Sequence, residues 1–116
     1  MRTDWIALAA QAATSLKHVE KPQFELGSVV ATPAAIAHLT KNEMPVASLL
    51  CLHVGGVWGG ISDEDAEANS QAVADGGRIL SSYLVGNKKV WIITDAAHEG
   101  ANGHRQSTCV LLSEEY

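Results

Sequence analysis

The sequence lacks the basic surplus that is typical of nucleic-acid-binding proteins. Its eight basic side chains are outnumbered by thirteen acidic ones, and the formal net charge is −5. A basic groove is therefore not visible in the composition, although a local patch remains compatible with a net acidic protein. Nucleic acid is accordingly not favoured as a partner by the net charge.

Cysteine is scarce, and so are long apolar stretches. The two cysteines, Cys51 and Cys109, lie in apolar runs without CxxC spacing, which predicts reduced core thiols in a cytosolic protein. A disulfide stays open, because it depends on whether the two residues meet in the fold. The start, MRTDWIALAAQAATSL, is too short and polar to span a membrane, and Asp4 interrupts the order of a signal peptide. We therefore expect a cytoplasmic protein with no membrane partner.

The bulk composition is that of an ordinary globular protein, with 47% hydrophobic and 18% charged residues. A chain of 116 residues predicts one domain, residues 1–116, that is large enough to bury a core. Within it we expect a helix over 3–18 and a connector that ends near Pro22, both peripheral to a core of residues 23–116.

Capping residues, turn residues and apolar periodicity predict the order of the remaining elements. These are a strand over 27–32, a helix capped by Thr32 with Pro33 in its first position, an apolar core helix over 46–54, an acidic helix from Ser62 to Gly76, strands over 78–85 and 88–95, and a final strand over 108–112. This order predicts an α+β fold, with an antiparallel sheet of about three or four strands and helices packed on one face.

Gly86-Asn87 predicts a two-residue hairpin turn, which fixes the register of the two strands that flank it. Val85 then lies opposite Lys88, and Ser81 lies opposite Ile92. The same register places Arg78 opposite Asp95, where we expect an exposed ion pair worth less than about 1 kcal/mol.

The stretch HVGGVWGG, residues 53–60, places four glycines around one tryptophan. Glycines permit positive φ angles and close backbone approach. The stretch predicts either a recognition loop with Trp58 as its anchor or a helix end with Trp58 folded over the core. His53 lies at the end of the preceding helix, where the helix dipole favours its charged form. General acid–base chemistry with Asp63 or Asp65 as the orienting carboxylate is the alternative for His53.

Asn69 lies among small apolar residues on one face of the acidic helix, so its amide is expected to point inward. Buried amides need hydrogen-bond partners. We expect these in the glycine-rich loop or at Ser81 or Ser82, which would make Asn69 a structural lock. The alternative is a pocket that Asn69 lines together with Ser81 and Tyr83.

His98 and His104 flank a short polar loop, and Glu99 or Asp95 could supply a third metal ligand. The spacing matches no structural zinc pattern, and no cysteine accompanies it. The sequence therefore favours a solvated loop, with no metal and no cofactor.

Five separated elements occur along the chain in a fixed order: HVGGVWGG (53–60), an Asp65-to-Asn69 step, RILSSY (78–83), VWIITD (90–95) and TCVLLSEEY (108–116). Together they resemble a family of small bacterial proteins of plasmids and other mobile elements. Its members are labelled plasmid-related protein or type I restriction endonuclease subunit M. The resemblance covers about residues 27–116. The matching positions are His53, Gly56, Trp58, Gly59, Asp65, Asn69, Arg78, Ser81 or Ser82, Tyr83, Trp91, Ile92, Ile93, Thr94, Asp95, Thr108, Leu111, Leu112, Glu115 and Tyr116.

The chain departs from the family pattern in two features. The family has a proline where Ser113 stands, and its loop in place of 96–107 is shorter. The resemblance implies an association with mobile genetic elements and does not indicate a biochemical activity. The chain has no room for a methyltransferase domain, and it contains neither a cofactor-binding glycine pattern nor an NPPY-like tetrad.

Three functional hypotheses follow. The first is a small accessory protein of a mobile element that binds a protein or small ligand without catalysis and is also compatible with a homodimer. The second is a small hydrolase or nucleotide-modifying enzyme with its site around the Gly-Trp loop. The third is an anti-restriction or DNA-mimic protein, for which a charge of −5 is weak. The candidate site residues are His53, Trp58, Asp65, Asn69, Arg78, Ser81 and Tyr83.

Overall fold

The computed structural model describes residues 6–7, 22–97 and 104–116. Short strands and three helices account for most of these residues. In chain order they are β1 (Ile6–Ala7), β2 (Ser28–Ala31), α1 (Pro33–Lys41), α2 (Val46–Val54), α3 (Asp63–Asp75), β3 (Ile79–Val85), β4 (Lys88–Thr94), β5 (Ser107–Leu112) and a 3-10 helix (Ser113–Glu115).

The strands form one sheet in the order β1-β2-β5-β4-β3. The α+β prediction is confirmed, and most strand pairs are antiparallel. One pair differs, because β5 lies between β4 and β2 and runs parallel to β2. A parallel pair needs a long crossover connection, and here all three helices and the β3–β4 hairpin lie between the two strands.

The hairpin register is confirmed within the strands, including Val85 with Lys88 and Ser81 with Ile92. The predicted ion pair between Arg78 and Asp95 is wrong. Strand pairing ends one residue earlier, at Ile79 and Thr94. Arg78 donates a hydrogen bond to the Tyr116 hydroxyl instead, and the Asp95 carboxylate accepts one from Ser107.

The core lies between one face of the sheet and the helices α1 and α2. Side chains of α2, such as Leu50 and Val54, meet Val90 and Ile92 of β4 there. The predicted apolar core helix is confirmed, because six of the nine residues of α2 are buried. Helix α3 takes a different place, along the free edge of β3, where Asn69 contacts the strand backbone.

The predicted helix starts and stops are present. Thr32 accepts from the Ala35 amide, Ser62 accepts from the Asp65 amide, and Gly76 ends α3 with φ +87°. The predicted N-terminal helix is wrong at Ile6–Ala7, which pair with β2 as a strand, and the rest of it lies outside the described residues. In the part of the chain that the structure describes, no helix is long and apolar enough to cross a membrane.

Candidate functional site

His53 lies in the last turn of α2, and its side chain is completely buried. The imidazole Nδ1 is 2.5 Å from the Ser81 hydroxyl oxygen, and Nε2 is 2.8 Å from that of Thr94. The pairing of a serine with a histidine superficially matches the nucleophile and base of a hydrolase. Sequence analysis placed no nucleophile beside His53, because Ser81 lies 28 residues away on β3.

A chain of hydroxyl groups fixes the proton positions around His53. Thr108 donates its only hydroxyl proton to the carbonyl of Leu26, 2.8 Å away. Thr94, 2.7 Å from Thr108, must then donate to Thr108 and accept from Nε2 of His53. Nε2 of the imidazole therefore carries a proton. Because the pKa of His53 is about 3, the ring is neutral, and its Nδ1 accepts the proton of Ser81.

Burial lowers the pKa of His53 to about 3, and the positive charge of Arg105 adds to this effect. The expectation of a charged histidine at the helix end is wrong, because the loss of hydration outweighs the helix dipole. The proposed orienting carboxylates are not involved. Asp63 and Asp65 are exposed in the first turn of α3, and the group that orients the imidazole is Thr94.

The Gly-Trp loop docks by its backbone onto the free edge of β3. The Trp58 carbonyl accepts from the Ser82 amide at 3.0 Å, and the Gly60 amide donates to the Ser82 carbonyl at 2.8 Å. Gly59 lies between them with φ +74°, and a Cβ there would come within 2.0 Å of the Ser82 oxygen. The glycine is therefore required for the contact.

Tyr83 and Trp58 connect this loop to the body of the domain. The Tyr83 hydroxyl donates to the Val57 carbonyl at 2.5 Å, and burial raises its pKa to about 12. Trp58 is half-buried, and its indole N–H is buried without a hydrogen-bond partner. Both side chains thus lie against the domain, which matches the folded-back alternative for Trp58.

Asn69 is a lock, as the first of its two alternatives predicts, but its partner is different. Its side-chain amide donates to the Leu80 carbonyl at 2.7 Å and accepts from the Leu80 N–H at 3.1 Å. Asn69 thereby pairs the backbone N–H and C=O of Leu80, which are directed away from β4 at the free edge of the sheet. The Gly-Trp loop does the same for Ser82, two residues along, so both features cover an edge strand.

The remaining candidates lie elsewhere. Arg78 is exposed, and its Nη2 donates to the Tyr116 hydroxyl at 3.0 Å. Asp65 is exposed and lies at the opposite end of α3 from Arg78. The seven candidate residues therefore do not converge on one solvent-open pocket, which the enzyme hypothesis requires.

A cleft of about 400 Å³ lies on another part of the surface, lined by Phe24, Glu25, Asp75 and Arg105 among others. The Arg105 guanidinium is almost fully buried and donates to the carbonyls of Ala72 (2.9 Å), Gly77 and Asp95 (3.0 Å). It stabilises the C-terminal end of α3, where the helix dipole is negative.

Glu25 joins this cleft to the start of β5. Its carboxylate accepts from the Arg105 backbone N–H at 2.8 Å and contacts Nδ1 of His104 at 2.9 Å. These hydrogen bonds lower the pKa of Glu25. Sequence analysis missed both Glu25 and Arg105, since a single charged residue carries no local signal of a partner 80 residues away.

The loop with the candidate metal ligands lies only partly within the described residues. His98 and Glu99 lie outside the described residues. Within 22–97 and 104–116, no group of three or more histidine, cysteine or acidic side chains is placed to hold a metal ion. Cys51 and Cys109 are free and half-buried, and burial raises the pKa of Cys109.

Comparison with protein-family models, curated proteins and solved structures finds no match for the chain.

Proposed function

We propose that this protein is a non-catalytic binding module that acts through its surface. It is a small accessory protein of the mobile-element type indicated by the sequence resemblance, and it works in the cytoplasm. The observation that carries this proposal is the burial of the serine–histidine pair. Ser81 and His53 both have no exposed surface, so no substrate reaches them in this conformation.

The acid–base properties of the pair support the same proposal. A general base is most effective when its pKa lies near the working pH. With a pKa of about 3, His53 is a poor proton acceptor for the Ser81 hydroxyl at neutral pH. Thr94, which takes the place of an orienting carboxylate, carries no charge to stabilise an imidazolium. The pair therefore contributes hydrogen bonds to the core.

Labelling with a fluorophosphonate probe tests the absence of catalysis. Such a probe forms a covalent bond with an activated serine and releases fluoride. We expect the native protein to remain unlabelled at Ser81, as judged by mass spectrometry, with Ser81→Ala as the blank. Stoichiometric labelling that Ser81→Ala removes and Ser82→Ala preserves would overturn the proposal.

Capture from a bacterial lysate tests the binding role. We expect the immobilised protein to retain a reproducible partner, and Ser81→Ala to retain the same partner, because the buried hydroxyl is not part of the surface. Nuclease-treated and untreated lysates separate protein partners from nucleic acid. A lysate from which neither arm yields a reproducible partner would count against a binding module.

A further inference from the structure

The outer face of the β3–β4 hairpin, opposite α1 and α2, carries an aromatic and basic surface. Trp91 of β4 and Tyr116 have ring centroids 5.3 Å apart, with an angle of 55° between the ring planes. The Arg78 guanidinium lies 5.8 Å from the centre of the Tyr116 ring. Lys89 lies two residues before Trp91, on the same face of the strand. We call Arg78, Lys89, Trp91 and Tyr116 the hairpin surface.

This surface is accessible and already ordered. Tyr116 is 69% exposed, Arg78 and Lys89 are exposed, and Trp91 is half-buried. The 3-10 helix before Tyr116 is held by Glu115, whose carboxylate accepts from the Leu112 amide at 2.9 Å and the Thr32 hydroxyl at 2.7 Å. A bound ligand would therefore meet rings that are already in position.

The described part of the chain separates its charges in a way that the net charge conceals. It contains five lysines and arginines, of which Arg105 is buried and Lys41 lies on α1. The other three, Arg78, Lys88 and Lys89, belong to the hairpin or directly precede it. Of the neighbouring carboxylates, Glu114 pairs with Lys88 at 2.8 Å and Glu115 is turned into its capping contacts.

We propose that the hairpin surface binds single-stranded nucleic acid without sequence preference. Each nucleotide offers a base that can stack on an exposed ring and a phosphate that can approach a cation. The hairpin surface presents rings and cations side by side. A duplex hides the faces of its bases and fits this surface less well. The proposal rests on the proposed function, since it names the class of partner for a binding module.

The few cations on the surface set the expected strength of binding. Within the hairpin surface, Arg78 and Lys89 are exposed cations without a described carboxylate partner, so about two phosphate contacts are expected. Each contact in a single strand contributes a slope of about −0.7 to the logarithm of affinity against the logarithm of salt concentration. Binding is therefore expected to be weak and measurable only at low salt.

Fluorescence anisotropy with a labelled oligothymidylate of about 12 nucleotides tests the proposal at salt concentrations of about 50 and 200 mM. We expect Tyr116→Ala to weaken binding about fivefold or more, because a stacking platform is lost. Arg78→Gln is expected to make the salt slope shallower by about 0.7. Lys41→Gln is the matched control, since it removes an exposed cation outside the surface, and is expected to change neither quantity.

Three results would overturn the proposal. These are no binding at low salt, equal losses in Arg78→Gln and Lys41→Gln, and equally strong binding of poly-L-glutamate, which would assign the surface to acidic protein segments. Thermal unfolding of each variant shows that a loss of binding does not reflect a loss of fold. If the oligonucleotide fails to bind while lysate capture still yields a protein partner, only the nucleic-acid inference falls. If neither the oligonucleotide nor a protein partner binds, the binding-module proposal is overturned as well.

Discussion

Polar side chains in this core have specific hydrogen-bond partners, and these partners explain why they are buried. His53 binds Ser81 and Thr94, and Asn69 binds both backbone groups of Leu80. When one partner of a buried hydrogen bond is removed, the remaining polar group is left unsatisfied. This costs more free energy than the hydrogen bond itself contributes. Removing one side chain should therefore destabilise the domain through the group that remains.

Asn69→Ala tests this at the edge of β3. The substitution leaves the N–H and the carbonyl of Leu80 without their side-chain partner. We expect the free energy of unfolding, measured with urea, to fall by about 1–3 kcal/mol. Ser70→Ala, at the exposed neighbouring position on α3, is the control and should change it by less than about 0.5 kcal/mol. Equal stability of Asn69→Ala and wild type would return Asn69 to the alternative of a functional residue.

At the scale of elements, the Gly-Trp loop behaves as a short strand added to the sheet. The loop pairs with the backbone of Ser82, and Asn69 pairs with the backbone of Leu80. Together they satisfy the backbone N–H and C=O groups of these two residues at the free edge of β3. Exposed strand edges invite pairing with other chains, and natural proteins cover them. The glycine at position 59 is thus explained by the close approach of two backbones.

Gly59 and Gly60 form a matched pair for testing this account. Gly59→Ala forces a left-handed conformation on alanine, at about 1–3 kcal/mol, and also directs its Cβ at the Ser82 carbonyl. We expect a clear loss of stability and faster amide hydrogen exchange at Ser82. Gly60→Ala has open space around the new Cβ and should be nearly neutral. Similar stability of the two variants would show that the loop is not fixed by this contact.

Elements with strong local signals could be predicted from the sequence, and long-range pairings could not. Thr32, Ser62 and Gly76 mark their helix ends through contacts within a few residues. The partners of His53 lie 28 and 41 residues away, on two different strands. No local pattern encodes that separation, so the histidine was expected to be charged at a helix end. The parallel pairing of β2 and β5 escaped prediction for the same reason.

At the scale of the whole molecule, the buried histidine couples stability to pH. The pKa of His53 is about 3 in the folded state and near the ordinary histidine value of 6.5 in the unfolded chain. Below pH 6.5 the unfolded chain therefore binds a proton that the folded protein does not. The stabilising contribution of neutral His53 is fully present above pH 6.5 and is lost progressively as the pH falls towards 3.

This coupling predicts a fall of about 2 kcal/mol in the free energy of unfolding between pH 7 and pH 5 from His53 alone. Urea unfolding across this range measures the total. His53→Gln, which cannot titrate, should flatten the dependence by about one proton. Because that variant also loses the hydrogen bonds of the imidazole to Ser81 and Thr94, the slopes are compared rather than the absolute stabilities.

The central claim is that His53 is a sealed, neutral part of the core, and an NMR titration of its imidazole tests this most directly. The account predicts ¹⁵N shifts of the Nε2–H tautomer that stay constant from neutral pH down to about pH 5, well above the pKa of about 3. A titration midpoint near the ordinary histidine value of about 6.5 would contradict it. The serine–histidine pair would then be open to solvent, and a catalytic role for it would have to be reconsidered.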